Sequence, residues 1–315
     1  MQTYFEIDLV YLWVDGSDAK WIARKNAFLG KTEAETETDC KGRYASNNEL
    51  KYSLRSVEKY VPWIRKIFIV TDNQIPDWLD VSNSKIQIVD HKEILPKEAL
   101  PCYNASVIEY FLYKIPELAE HFLFANDDMF FNTYLEPSFF FKKDGCPIVR
   151  LERKFWGKLS YLWKKIKKRQ LTSTYRITIL NSAKLVEHKF GKFYSGLPHH
   201  NIDSYLRPNI QHVVEQIFNN EISPTIKNHI RNNNDINRIV FSYYALAKKR
   251  AYIKYVNKYE SFCAALSWNN FEEVVEQYNP KLFCLNDDQL ATDDDRQRGK
   301  EFLSKIFSEK SNFEL

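Results

Sequence analysis

Residues 121–131, HFLFANDDMFF, carry the pattern from which the rest of the chain is read. HFLFAND has the composition of a buried β-strand, and it ends in Asn126, Asp127 and Asp128 between two clusters of aromatic side chains. Two adjacent carboxylates at a buried strand end are destabilising unless something positive offsets them. Alone, the motif reads as readily as a turn cap as it does a cation ligand. The neighbouring strands weigh in favour of a ligand.

IDLVYLWV (7–14) is a near-continuous apolar run that ends in Asp15 and Gly16, the mark of a buried strand followed by a turn. In NNELKYSLRSVEKYVPW (47–63), Leu50, Leu54, Val57 and Val61 recur at helical spacing behind Asn caps and ahead of Pro62. KIFIVTDN (66–73) and KIQIVD (85–90) read as further strands, and ASVIEYFLYKIPEL (105–118) as a helix. Strands alternating with helices predict an α/β fold with a mixed sheet. Each strand ends in a polar group: Asp15, Asp72, Asp90 with His91, and Asn126 with Asp127 and Asp128. Ligands of open α/β sheets bind outside the carboxyl ends of the strands, so these groups are expected to share one cleft. A hard divalent cation such as Mg²⁺ takes one or two carboxylates there together with substrate phosphates.

The second half reads as long helices with few strands, PNIQHVVEQIFNN (208–220) and DINRIVFSYYALAKK (235–249) being the clearest. FCLNDD (283–288) repeats the earlier device and is expected to return Asp287 and Asp288 to the cleft. The predicted organisation is an α/β nucleotide-sugar and metal-binding core over 1–150, a mainly helical lobe over 151–280, and a return strand with a C-terminal helix over 281–315.

Composition excludes several classes. The 315 residues are 44% hydrophobic, enough for a large core, and the net charge of +4 is too small to imply nucleic acid as a partner. The N-terminal MQTYFEIDLVYLWVDGSD has acids where a leader needs an apolar run, and no apolar stretch is long enough to span a bilayer. A cytoplasmic protein, soluble or peripheral on the membrane, is expected. The five cysteines are odd in number, scattered and without a CxxC pair, which argues against a disulfide framework and a structural zinc site. RKFWGKLSYLWKKIKKR (153–169) contains eight Lys or Arg, no acid, and an apolar stripe. It fits an anionic membrane surface, an ordinary helix packed on the core, or a groove for an anionic polymer.

Taken together, IDLVYLWVDGSD, NNELKYSLRSVEKYVPWIRKIFIVTDNQIPDWL, the stretch from Ser106 to Phe131, LPHHNID (197–203) and FCLND resemble, in order, the regions of the Stealth family. The family comprises sugar-1-phosphate transferases of bacterial capsules, and the animal GlcNAc-1-phosphotransferase is similar in the same regions. The resemblance implies a core like that of GT-A glycosyltransferases with Rossmann-like nucleotide binding, a UDP-N-acetylhexosamine donor, an oligo- or polysaccharide acceptor, UMP release, and Mg²⁺ or Mn²⁺. By motif it assigns Glu109 and Asp128 as active-site acids, His199 and Arg231 as the essential His and Arg, and Asp287 to the last region. The doubled histidine of LPHHNID departs from the animal pattern, which leaves His200 beside His199 as a candidate.

Chemistry gives these residues roles. Asp127, Asp128 and Asp287 would hold the metal, and Arg231 would present its planar fork to the transferred phosphate. His199 suits a general base near neutral pH, with a phospho-enzyme nucleophile as the other option. Asp15, Gly16, Arg43, Asn48, Glu49, Arg55, Asn126, His200 and Asn286 are expected to line or brace the donor side. Glu49 and Arg55 are six positions apart on one helix, so at most one faces the ligand; Glu49 also reads as a helix N-terminal residue favoured by the dipole. Two rivals stand beside the phosphotransferase: a GT-A glycosyltransferase that releases UDP, and a carbohydrate-binding protein without turnover.

Overall fold

The computed structural model describes residues 5–30, 47–154 and 173–315, together with Leu159. Four strands predicted from the sequence form the middle of the molecule: β1 (Ile7–Leu12), β2 (Ile67–Thr71), β3 (Ile86–Asp90) and β4 (His121–Asn126). They pair in parallel in the order β3-β2-β1-β4, with Leu12 opposite both Val70 and Asn126 and Thr71 opposite Asp90, so their carboxyl ends align. That is the strand order of a doubly wound nucleotide-binding sheet.

Both faces of this sheet are covered, which is why its strands lack a polar alternation. Val10, Phe68, Val70, Phe122 and Phe124 belong to one core cluster; Leu9, Tyr11, Ile67, Ile69, Leu123 and Ala125 point the other way into a second. On the second face lies the helix Glu49–Tyr60, which follows the helix Ala19–Leu29 (α1) and is α2 here; it buries Leu50, Leu54 and Val57 as its spacing predicts. On the first face pack α3 (His91–Ile94), α4 (Ala105–Tyr110) and helices of the second half.

The second half departs from the sequence reading. It contains α5 (Thr174–Phe190), α6 (Arg207–His212), α7 (Asn219–Ile226), α8 (Ile239–Ala247), α9 (Phe271–Tyr278) and α10 (Asp293–Ile306), but also more strands than expected. After β5 (Met129–Phe131) and β6 (Ile148–Glu152) come β7 (Leu197–Pro198), β8 (Asp203–Leu206), β9 (Tyr252–Tyr255), β10 (Ser261–Ala265) and β11 (Leu282–Asn286). β8 joins the main sheet antiparallel to β4, setting Asp203 opposite Phe124. β11 pairs with β5 and β10 in a second sheet, and β7, β6 and β9 form a third.

Three predicted helices are shorter than their patterns. The one expected over 105–118 ends at Tyr110, because Phe111 leaves helical geometry and Ile115 is extended ahead of Pro116. The one over 208–220 passes from α6 into a π-helical turn over Val213–Ile217. The one over 235–249 begins at Ile239, because Asp235 instead anchors a loop, accepting from Asn104 Nδ2 (2.8 Å), Asn228 Nδ2 (2.6 Å) and the Asn232 amide (2.8 Å). Gly191 closes α5 in the left-handed conformation (φ 68°).

The C-terminal segment is fastened to α2. Arg55 donates from Nε (2.7 Å) and Nη2 (2.8 Å) to the buried Glu314 carboxylate and from Nη1 to the Phe307 carbonyl (2.7 Å). Arg55→Met leaves that carboxylate buried without its bidentate partner. The expected result is a loss of ~3 kcal/mol, read as a lower urea midpoint at unchanged slope. An unchanged midpoint would assign the fastening elsewhere.

Candidate active site

The turn between β4 and β5 presents Asp127 and Asp128 where the chain leaves one sheet for the next. The Leu285 amide of β11 donates to the Asp128 carbonyl (3.0 Å) and fixes the turn from behind. Glu49, first residue of α2, joins them as a third acid. Its carboxylate accepts from the Asn47 amide (2.6 Å) and Nδ2 (2.7 Å), while Asn48 takes a left-handed φ of 62°. Burial raises Glu49 to about 7, and the charge of Asp128 adds to it. Burial likewise raises Asp128 to about 6, the Cys284 thiol hydrogen bond opposing, and pushes Asp127 well above the carboxylate range, helped by Glu49 and Asp128. Asp128 Oδ1 is buried with no hydrogen-bond partner among the described residues. Glu49 is buried and Asp127 and Asp128 are half-buried, and the charges of Glu49 and Asp128 act on Asp127. Carboxylate oxygens of this kind are the donors a hard divalent cation takes, although the three groups are not drawn together to ligand spacing here.

Asp287 is engaged otherwise than its predicted ligand role requires. Arg296 holds it in a bidentate pair (Nε–Oδ2 2.7 Å, Nη2–Oδ1 3.0 Å), and Asn47 Nδ2 reaches Oδ2 at 3.4 Å. It acts on Asp128 through its field. Asp288 accepts from Ser267 Oγ (2.6 Å).

Beside the acids lies a largely enclosed guanidinium, its side chain 12% exposed, that the sequence reading missed. Arg238 donates from Nη1 to Glu109 Oε1 (3.0 Å), from Nη2 to Asp203 Oδ2 (3.0 Å) and from Nε to Tyr205 Oη (3.3 Å), with its carbon 4.6 Å from the centre of the Phe124 ring. Burial works against its charge, but Glu109, Tyr205 and Asp203 outweigh it and hold the group protonated. The pattern DINRIVF places Arg238 inside a helix, where an Arg ordinarily faces water. Burial raises Glu109, the charges of Arg238 and Arg231 opposing. The field of Arg231 also reaches His200 and Asp235, so its loop borders the same cluster.

Asp203 passes the contact on to His199. His199 Nε2 lies 3.1 Å from Asp203 Oδ1 and Nδ1 lies 2.7 Å from Ser261 Oγ. The Arg238-bound carboxylate accepts the Nε2 proton, so Nδ1 is the basic nitrogen and Ser261 donates to it. Burial and the hydrogen bond from His199 act on Asp203 in opposite senses, and with Arg238 the balance keeps it below the usual carboxylate range. His200 points elsewhere, toward Cys263 and Cys284; burial lowers it to about 4, with the charges of Arg238, His199 and Arg231 adding.

The other predicted residues are dispersed. Asp15 Oδ1 accepts from the Ser17 amide (2.8 Å) and Oγ (2.6 Å), and its own amide donates to Gln74 (2.9 Å), so Asp15 and Gly16 form a laced turn at the end of β1. Arg55 is turned to Glu314, which corrects its expected place on the donor side. Asn126 and Asn286 end β4 and β11 half-buried. Arg43 and most of 153–169 lie outside the described residues; of that basic segment, Arg153 stacks on Tyr255 and Leu159 is exposed.

Comparison with known proteins bears on this arrangement. The model of Stealth protein CR1, conserved region 1, matches residues 5–33, and that of CR2, conserved region 2, matches 43–149, which includes the carboxylate turn and Glu109. Capsular polysaccharide phosphotransferase fcs1 of Haemophilus influenzae is 35% identical over 91% of this chain and 79% of its own length. The chain belongs to the Stealth family. LcbA of Aeromonas hydrophila, also named a capsular polysaccharide phosphotransferase, is 34% identical over 97% of the Stealth chain and 85% of its own, and WcwK of Streptococcus pneumoniae is 29% identical over 98% and 99%. Membership places the chain among the transferases of phosphorus-containing groups. Among solved structures, the galactosyltransferase LgtC with donor and acceptor sugar analogues covers 96% of this chain and 95% of its own at 12% identity and a TM-score of 0.44, too distant to bear on the reaction.

The acids predict an inverted pH dependence of stability. With Glu49 at about 7 and Asp128 at about 6 in the fold, the folded chain keeps protons that the unfolded chain releases near pH 4, so metal-free stability falls as pH rises from about 4 to about 7. In EDTA the melting temperature should be lower at pH 8 than at pH 5, Mg²⁺ should close the gap, and Asp128→Asn should raise the pH 8 value. A divalent cation without effect at pH 8 would count against the trio as its site.

Proposed function

We propose that this Stealth enzyme transfers a sugar-1-phosphate, an N-acetylhexosamine-1-phosphate, from a UDP-sugar to a saccharide hydroxyl, releasing UMP and forming the phosphodiester of a capsular or other cell-surface polysaccharide. What supports this reading is the adjacency of the oxygen donors Glu49, Asp127 and Asp128, which we assign to a cation, to the Arg238 cluster in which Asp203 orients His199. The relatives named capsular polysaccharide phosphotransferases support it.

Phosphoryl transfer asks for positioning and charge neutralisation more than for covalent work. Mg²⁺ or Mn²⁺ held by the trio would offset the charge of the diphosphate. Asp203 holds the His199 Nε2 proton, leaving Nδ1 to take the acceptor hydroxyl's proton, in place of Ser261 or through it. Arg238 is saturated by Glu109 and Asp203 and positions them; Arg231 is the guanidinium assigned to the transferred phosphate. Attack at the anomeric carbon would instead build positive charge, which a guanidinium beside it opposes. That favours expulsion of UMP over expulsion of UDP.

Among the described residues no helix is long and apolar enough to cross a membrane. Association with the cytoplasmic face through 153–169 is part of the proposal, and liposome flotation tests it.

With UDP-N-acetylhexosamine, Mg²⁺ and an oligosaccharide acceptor, UMP should form in step with a phosphodiester product. Stoichiometric UDP with a phosphate-free product would make the chain a glycosyltransferase. Asp203→Asn, which misplaces the His199 proton, should lower turnover ~10²–10⁴-fold while leaving donor affinity nearly unchanged. Unaltered turnover would remove His199 as the base.

A further inference from the structure

Cys263 and Cys284 stand 21 positions apart in sequence, a spacing that signals nothing, yet the fold makes them register partners on the parallel strands β10 and β11. Register partners point to one side of a sheet. The imidazole of His200 arrives from the loop after β7, and one donor atom from each of the three residues lies within 4.8 Å of the other two. Tetrahedral zinc, with bonds of about 2.0–2.3 Å, separates its ligands by about 3.5 Å, so modest side-chain rotation closes the set.

Two further observations point to a ligand. His200 sits at φ 48°, a left-handed conformation uncommon for a residue with a side chain, which fixes the direction of its imidazole. The Tyr175 ring stands edge-on to its imidazole, with centroids 5.8 Å apart. In addition, the Cys284 thiol donates to Asp128 Oδ2 (3.3 Å), while Asp128 Oδ1 has no hydrogen-bond partner among the described residues. A cation that replaced the thiol proton would lie beside that carboxylate.

We propose that His200, Cys263 and Cys284 bind a thiophilic divalent cation, zinc in the first instance. One imidazole nitrogen and two thiolates select zinc over magnesium, whereas carboxylate donors such as Glu49 and Asp127 select the reverse. Asp128, which accepts from the Cys284 thiol, stands beside the proposed ion. Binding releases the two thiol protons to solvent and involves no redox change. The ion would tie β10 and β11 to the loop that carries His199, fixing the base relative to the strand that braces the carboxylate turn. This holds whichever leaving group the enzyme expels.

The test uses reduced, metal-stripped protein titrated with Co²⁺ in excess Mg²⁺. A single equivalent should bind and produce a thiolate-to-cobalt charge-transfer band that Zn²⁺ abolishes and Mg²⁺ does not. Cys263→Ser, Cys284→Ser and His200→Gln should each lose the band or its saturation at one equivalent, with circular dichroism confirming the fold, and Glu49→Gln should retain it. Cys263 is half-buried, so Cys263→Ser carries the test if the Cys284 variant does not fold. Absence of the band in the parent protein, its survival in folded Cys263→Ser, or a Cys263–Cys284 disulfide under these conditions would overturn the assignment.

Discussion

The arrangement depends on one largely enclosed guanidinium. Arg238, at the foot of α8, holds Glu109 of α4 and Asp203 of β8 while resting on Phe124 of β4, and so joins the helical half of the chain to the parallel sheet. Its removal would strand two carboxylates in a buried setting, a change that costs about 3–5 kcal/mol where one partner of a buried pair is lost. The dependence extends further, because Asp203 holds the Nε2 proton of His199 and leaves Nδ1 basic. The electrostatics of the core and the chemistry of the site are one network.

Within reach of its field the fold makes the opposite choice. Glu49, Asp127 and Asp128 are brought together with their charges opposing one another and an oxygen left without a donor. Such a cluster is a cost in the metal-free fold, and folds tolerate local conflict of this kind at functional sites. The two neighbouring clusters therefore differ in kind: Arg238 and its acids offset one another's charge, and Glu49, Asp127 and Asp128 do not.

Much of the sheet was legible because β1 to β4 are buried on both faces and so consist of apolar runs with polar ends. α2 was legible because its apolar stripe is regular and Pro62 follows it. The helices of the second half were harder to bound, since Asp235 prefers to anchor a loop with Asn104 and Asn228 and Pro116 unwinds the end of α4. β7 to β10 are short and carry little alternation. Of the residues gathered around the β4–β5 turn and Arg238, Asp127, Asp128, Glu109 and His199 could be singled out by type and motif. Arg238 could not, because its place inside a helical pattern hides a contact across 129 positions to Glu109. The pairing of Cys263 with Cys284 was hidden in the same way, and Arg55 proved to be a fastening for Glu314.

The pairing of β5 with β11 sets when the site can exist during synthesis. Asp127 and Asp128 emerge early, but the backbone that braces their turn, from Leu282 to Asn286, is made more than a hundred residues later. Closing so long a loop is slow relative to local helix formation. A ribosome-bound chain that already displays β1 to β4 would thus still lack the brace behind the Asp127–Asp128 turn, and that turn would take its final form only after β11 had emerged.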